Sequence, residues 1–98
     1  MEKKIPHCKL ATIKALIEAG KVRATLSALT GGAAMGFGYE DMIRVVIALT
    51  PADFYKNMTT HADYKVWQDV YRHSSPVGEV YLKLTVIDDV LIVSFKEQ

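Results

Sequence analysis

The stretch that most constrains this chain is its last twenty residues, Glu79 to Gln98, which read E-V-Y-L-K-L-T-V-I-D-D-V-L-I-V-S-F-K-E-Q. Two runs rich in β-branched and aromatic residues flank Asp88-Asp89, a turn signal, so the spacing predicts an antiparallel hairpin. With the two aspartates as the loop, Ile87 faces Val90, and counting outward pairs Val86 with Leu91, Leu84 with Val93 and Leu82 with Phe95. Side chains alternate across a strand, so that whole face is apolar and must be covered by a second layer. The other face carries Ile87, Val90, Thr85 and Ile92 near the turn, then Lys83, Ser94, Tyr81 and Lys96 at the open end. Tyr81 falls opposite Lys96, with Lys83 one diagonal step away, within the roughly 7 to 8 Å reach of diagonal neighbours. A polar strand face of this kind is by default a solvated one.

A chain of 98 residues, half of them apolar, suits a single domain over residues 1–98 with one core. Cys8 is the lone cysteine and cannot form an internal bridge, and neither a signal peptide nor a long apolar span is evident. A reducing, cytoplasmic setting with no membrane attachment is therefore expected. Net charge is only +1, yet residues 1–23 hold six Lys or Arg against two Glu. That segment reads as either a solvated helix face or a surface for an acidic partner.

Along the chain, Leu10, Ile13, Leu16 and Ile17 recur at helical spacing within 6–19, and Gly20 stands where a helix commonly stops. Val22 to Thr25 reads as a short edge strand. Ser27, Ala28 and Leu29 suggest a second helix that Gly31-Gly32 would end or loosen. From Tyr39, the residues Met42, Val45, Val46 and Leu49 form one apolar stripe, with Glu40 and Asp41 in the first turn, where the helix dipole favours them. Thr50-Pro51-Ala52-Asp53 combines a capping hydroxyl, proline at the first helical position and a carboxylate three residues after the cap, and predicts a short helix through about Asn57. Met58 to Tyr64 is then a polar connector, 65–72 a strand, and His73 to Gly78 a loop. Helices followed by a three-strand meander predict an α+β fold, with helices packed on one face of an antiparallel sheet.

Glycine-rich phosphate loops, zinc-type Cys/His spacings and nucleophile elbows are absent, and His7 beside Cys8 is one pair, not a metal site. His61 and His73 both fall in predicted loops. The groups that could converge are Lys56, Gln68, Arg72, Tyr81, Lys83 and Lys96, a cationic, hydrogen-bonding set with no evident carboxylate partner. Such a set suits an anionic ligand such as a phosphodiester. Trp67, Tyr55 and Tyr71 could stack on bases, although aromatic residues at strand positions are more often core.

Four segments carry a more specific likeness: M-E-K-x-x-P-H at the start, D-F-Y-K-x-M-T-T from Asp53, W-Q-D-V-Y-R from Trp67, and V-Y-L-K-x-T-V-I-x-D-V-L-I-V-S-F-K-E from Val80. Together they resemble the motility quorum-sensing regulator (MqsR) toxins, over essentially the whole chain and most densely after Pro51. The resemblance implies a RelE-like fold and the toxin of a type II toxin-antitoxin module, an mRNA interferase that cuts at GCU without the ribosome, metal or cofactor. It implies Lys56, Gln68, Tyr81 and Lys96 as the catalytic residues, with Met58 and Arg72 adjacent. Lys83 and Trp67 join these as RNA-binding neighbours.

The resemblance also implies a cognate antitoxin with a zinc-bound N-terminal domain and a DNA-binding C-terminal domain, so that DNA is reached only through the complex. For cleavage, attack by the RNA 2′-hydroxyl on the adjacent phosphorus is expected to leave a 2′,3′-cyclic phosphate or its opened 3′-phosphate, and a 5′-hydroxyl. Tyr81 is the leading acid or base, Lys56 and Lys96 stabilise charge and Gln68 positions the phosphate. Tyr and Lys ordinarily titrate near 10, so a cluster of lysines, by mutual repulsion, would bring one of them nearer to neutral pH. The alternative is a non-catalytic RNA- or ribosome-binding regulator that uses the same face.

Overall fold

The computed structural model describes residues 2–3, 5–6, 8–59 and 66–97, so His7 and residues 60–65, His61 among them, lie outside the described residues. In chain order the elements are β1 (Glu2–Lys3), α1 (Leu10–Glu18), β2 (Val22–Ala24), α2 (Leu26–Ala34), α3 (Tyr39–Ala48), one 3-10 turn (Pro51–Asp53), β3 (Phe54–Thr59), β4 (Trp67–Ser75), β5 (Gly78–Val86) and β6 (Val90–Glu97). The strands form one sheet in the order β1-β3-β4-β5-β6-β2, in which only β2 runs parallel to its neighbour. The fold is α+β. Ile13 and Ile17 of α1, Ala28 of α2, and Met42, Val45 and Val46 of α3 are buried against Tyr71, Val80, Leu82, Leu84, Val90, Ile92 and Phe95 of the sheet. The three helices thus pack on one face of the sheet.

Local signals explain the helix ends. Gly20 adopts φ +79 and lets the Lys21 amide return to the Leu16 carbonyl at 2.8 Å, closing α1. Thr25 caps α2 by accepting from the Ala28 amide at 3.1 Å, while its hydroxyl donates to the Val93 carbonyl at 2.7 Å. At the start of α3 the Asp41 carboxylate accepts from the Gly38 amide at 2.9 Å.

Four expectations from the sequence are corrected. First, α2 runs through Gly31-Gly32 to Ala34. A Cβ at Gly31 would fall inside the Phe95 carbonyl, and one at Gly32 would lie 2.6 Å from the Met42 Sδ, so the pair marks where the helix lies directly against β6 and α3. Second, the Thr50 cap and Pro51 start only one 3-10 turn; Phe54 onward is strand, paired with β4, so Lys56 and Met58 ride on β3. Third, His73, Ser74 and Ser75 continue β4, and the meander has four strands. Val22 to Ala24 is the edge strand expected.

The fourth correction concerns the hairpin. Its open end pairs as counted, Tyr81 with Lys96 and Leu82 with Phe95, but a shift between Lys83 and Leu84 makes Leu84 face Ile92 and Val86 face Val90. The turn is therefore Ile87-Asp88-Asp89, and Val93 is an extra residue in β6. This bulge sends Val90 and Ile92 inward alongside Phe95 and leaves Ser94 and Lys96 outward.

Replacing Gly31 with Ala should separate these effects. In an ordinary helix interior the change stabilises by roughly 1 kcal/mol, whereas here overpacking against immovable backbone should dominate and destabilise by about 2 kcal/mol or more. Gly32→Ala meets only a flexible thioether and should cost less. Urea unfolding of both variants measures the order, and equal midpoints would contradict the close approach of α2 to β6.

Candidate active site

The outward face of the meander is built in cross-strand rows. In one row Lys56 of β3 faces Val70 of β4, Val70 faces Lys83 of β5, and Lys83 faces Ser94 of β6. In the next, Arg72 faces Tyr81 and Tyr81 faces Lys96. Met58 faces Gln68 in a third row, on the same face by strand alternation. Val70 is fully buried yet takes no part in the helix-facing core, so it forms an apolar floor between Lys56 and Lys83. Four cations, a phenol, an amide and a thioether therefore share one face.

A second bulge completes it. The register shifts between Phe54 and Lys56, so that Phe54 turns inward to meet Tyr71 edge-on at 5.5 Å while Tyr55 stays outside. Arg72 stacks on the Tyr55 ring, its Cζ 3.5 Å from the centroid, and the Lys56 Nζ lies 5.3 Å from the same ring. Tyr55 and Tyr81 meet edge-on at 6.5 Å, and the Lys96 Nζ lies 5.5 Å from the Tyr81 ring. Cation–π contact thus places like-charged groups side by side over the faces of two tyrosine rings. Tyr81, Lys83 and Lys96 line a groove of about 320 Å³, with Glu97 at its rim. The Glu97 Oε2 lies on the far side of the strand, 3.4 Å from where a Gly78 Cβ would stand.

The sequence-predicted set is brought together with one exception. Lys56, Met58, Gln68, Arg72, Tyr81, Lys83 and Lys96 share the face, whereas alternation puts Trp67 on the opposite one, with Asn57, Thr59 and Asp69. Tyr71, considered as a base platform, is a core residue with no exposure. Burial, then the charge of Asp69 and the nearby Cys8, pushes its phenol well above the ordinary tyrosine range. Tyr55 emerges as the better platform, 42% exposed and already stacked. Its position depends on a bulge that residue spacing does not announce. Among the described residues no group of three or more His, Cys, Asp or Glu is placed to hold a metal.

Beneath the face, two polar clusters fix β3 and β4. The Asn57 side-chain amide donates to the Asp69 carboxylate, which also accepts from the Cys8 backbone amide at 3.0 Å. Burial, helped by the Asp69 charge, raises the Cys8 thiol above its ordinary range. Asp53 accepts from the Thr50 amide at 2.9 Å, and its Oδ2 lies 3.1 Å from the His73 Nδ1. These contacts pin the 3-10 turn to β4 immediately before Tyr55 and Lys56.

Comparison with known proteins places the chain in a family. A family model described as motility quorum-sensing regulator, toxin of MqsA, matches residues 5–97. The chain belongs to this MqsR toxin family. It is also 53% identical over 98 residues, covering 100% of both chains, to the mRNA interferase toxin MqsR of Escherichia coli (strain K12). The α+β architecture is consistent with the RelE-like fold expected of these toxins, and membership of the family implies an antitoxin partner. No helix among the described residues is long and apolar enough to cross a membrane.

The Asp53 clamp has a pH signature. Partial burial would raise the carboxyl, but the Thr50 amide, His73 and the Thr50 hydroxyl outweigh it and hold Asp53 below its ordinary value. A depressed folded-state pKa stabilises fully above the unfolded value of about 3.9, and that stabilisation is lost as pH falls through the folded value. Asp53→Ala should therefore lower stability at pH 7 by about 1 kcal/mol, and the gap from the parent chain should close in strong acid. Thermal unfolding from pH 7 to pH 2 tests this, and a gap that widens in acid would refute it.

Proposed function

We propose that this toxin is an endoribonuclease that cleaves mRNA at GCU sites, without ribosome, metal or cofactor, and so arrests translation in the cytoplasm. The observation that carries the reading is the register Arg72–Tyr81–Lys96 beside Lys56–Val70–Lys83, which gathers a phenol and four cations on one sheet face. RNA supplies its own nucleophile in the 2′-hydroxyl, so the protein must orient the chain, neutralise the phosphoryl oxygens and move two protons.

In this reading Lys56, Lys96 and Arg72 meet the charge that grows on the non-bridging oxygens during in-line attack. Gln68 donates to the same phosphate, and Met58 packs beside it. Tyr81 carries a proton at the reacting centre, giving it to the departing 5′-oxygen. The 2′-hydroxyl gives its proton to solvent water, and its oxygen bonds to phosphorus as the bond to the 5′-oxygen breaks, leaving a 2′,3′-cyclic phosphate and a 5′-hydroxyl. Lys83 steers the neighbouring phosphate, and Tyr55 on Arg72 offers a ring for the adjoining base. The antitoxin is proposed to have a zinc-bound N-terminal domain and a DNA-binding C-terminal domain. Any action on DNA then passes through that complex.

Incubating the chain in EDTA with RNA carrying one GCU, alongside Lys56→Ala and Tyr81→Phe, tests the reading. A single cut at GCU with cyclic or 3′-phosphate ends is expected, slowed about 10²- to 10⁴-fold by Tyr81→Phe. Unchanged cleavage by Tyr81→Phe would remove that residue from proton transfer. RNA that is bound but left intact would replace cleavage with the regulator reading.

A further inference from the structure

The sheet ends abruptly beside Lys96. Strand β2 pairs with β6 only through Val22–Val90, Arg23–Leu91 and Ala24–Ile92, after which the chain turns into α2. The Thr25 amide reaches the Ile92 carbonyl at 3.0 Å and its hydroxyl the Val93 carbonyl, so α2 replaces β2 as the neighbour of the outer half of β6. Between α2 and β6 lies a second groove of about 480 Å³, within the ordinary range for ligand sites. Leu26, Ser27 and Thr30 form its α2 wall, and Ser94 and Lys96 its β6 wall.

Lys96 lines both this groove and the one that holds Tyr81 and Lys83. Because Lys96 is common to both, a strand whose scissile phosphate sat at Tyr81 and Lys96 would have the α2 groove beside it. The lining chemistry fits a nucleotide. Leu26 offers apolar surface to a base, three hydroxyls can pair with a base edge or a 2′-hydroxyl, and no acidic side chain repels a phosphodiester. Packing does not account for Leu26, which is 80% exposed on a helix whose buried contacts are Ala28 and Gly32.

We infer that the groove between α2 and β6 is a subsite for the RNA nucleotide flanking the cleaved bond on the Lys96 side. The inference rests on the proposed ribonuclease site, and it extends recognition beyond the residues assigned there.

The experiment uses a minimal RNA bearing one cleavable site and the same RNA lengthened by one nucleotide at either end. Each RNA is also made with a 2′-deoxy substitution at the cleaved position, so that binding is read without cleavage. The full chain is compared with Leu26→Ala/Thr30→Ala and with Ser27→Trp, which fills the groove; thermal unfolding checks that both fold. Lengthening at one end, and not the other, should raise kcat/KM and affinity about tenfold for the parent chain, and that ratio should fall to about one in both variants. A ratio equal to the parent's in both variants would overturn the subsite. If the parent binds without cutting, the ribonuclease reading fails alone and the ratio of affinities decides the groove. A parent chain that neither binds nor cuts would sink both.

Discussion

The side-chain phase of β6 is the constraint on which the rest depends. This strand must bury Val90 and Ile92 in its first half and Phe95 in its second, while Ser94 and Lys96 face the other way. Strict alternation from Val90 cannot do both, because period two would put Lys96 inward with Val90 and Ile92. The extra residue at Val93 reverses the phase mid-strand, so that one strand contributes to the core and then to the charged face. The bulge at Tyr55 does the same for β3, which turns Phe54 onto Tyr71 and delivers Tyr55 and Lys56 to the outside. Two inserted residues thus determine which side chains meet.

Those bulges also mark the limit of what could be read from the sequence. The partners Tyr81–Lys96 and Leu82–Phe95 follow from counting, because Lys83, Ser94 and Lys96 supply polar positions that fix the phase at the open end. Near the turn, V-L-I-V is apolar at every position, so no alternation exists to reveal a shift by one. The capping signal at Thr50 to Asp53 is real and builds a turn, but the strand-forming run from Phe54 gains a ladder with β4 that a second helical turn would forfeit. Gly31-Gly32 misleads for a related reason. Helix propensity scores the glycines as breaks, whereas contact with the Phe95 carbonyl requires the missing Cβ.

Segregation of the two sheet faces lets a near-neutral chain keep a concentrated cationic surface. Lys56, Lys83, Arg72 and Lys96 stand together, although the net charge is only +1. The cost of crowding them is borne by the helix-backed face, where the largest core side chains are collected. Tyr55 and Tyr81 space the cations as π-faces, and Val70 supplies an apolar floor that holds them level. The ion pair from Arg23 to Asp89, at 2.7 Å, sits at the turn end of β6.

Helix α2 ties this division of labour to the edge of the sheet. An uncovered β6 edge from Ile92 onward would expose unpaired carbonyls beside the cationic rows. Thr25 answers two of them, at Ile92 and Val93, and Gly31 lets the helix axis lie close enough to shield the carbonyl at Phe95. The residue after Phe95 is Lys96, so any force that lifts α2 acts on the backbone carrying that ammonium group. Stability and site geometry are therefore coupled through one helix–strand contact, and that contact borders the α2 groove. Changes in this region that preserve Lys96 chemically can still displace it, and in a catalytic site a displacement of about 1 Å can cost on the order of 10²-fold in rate.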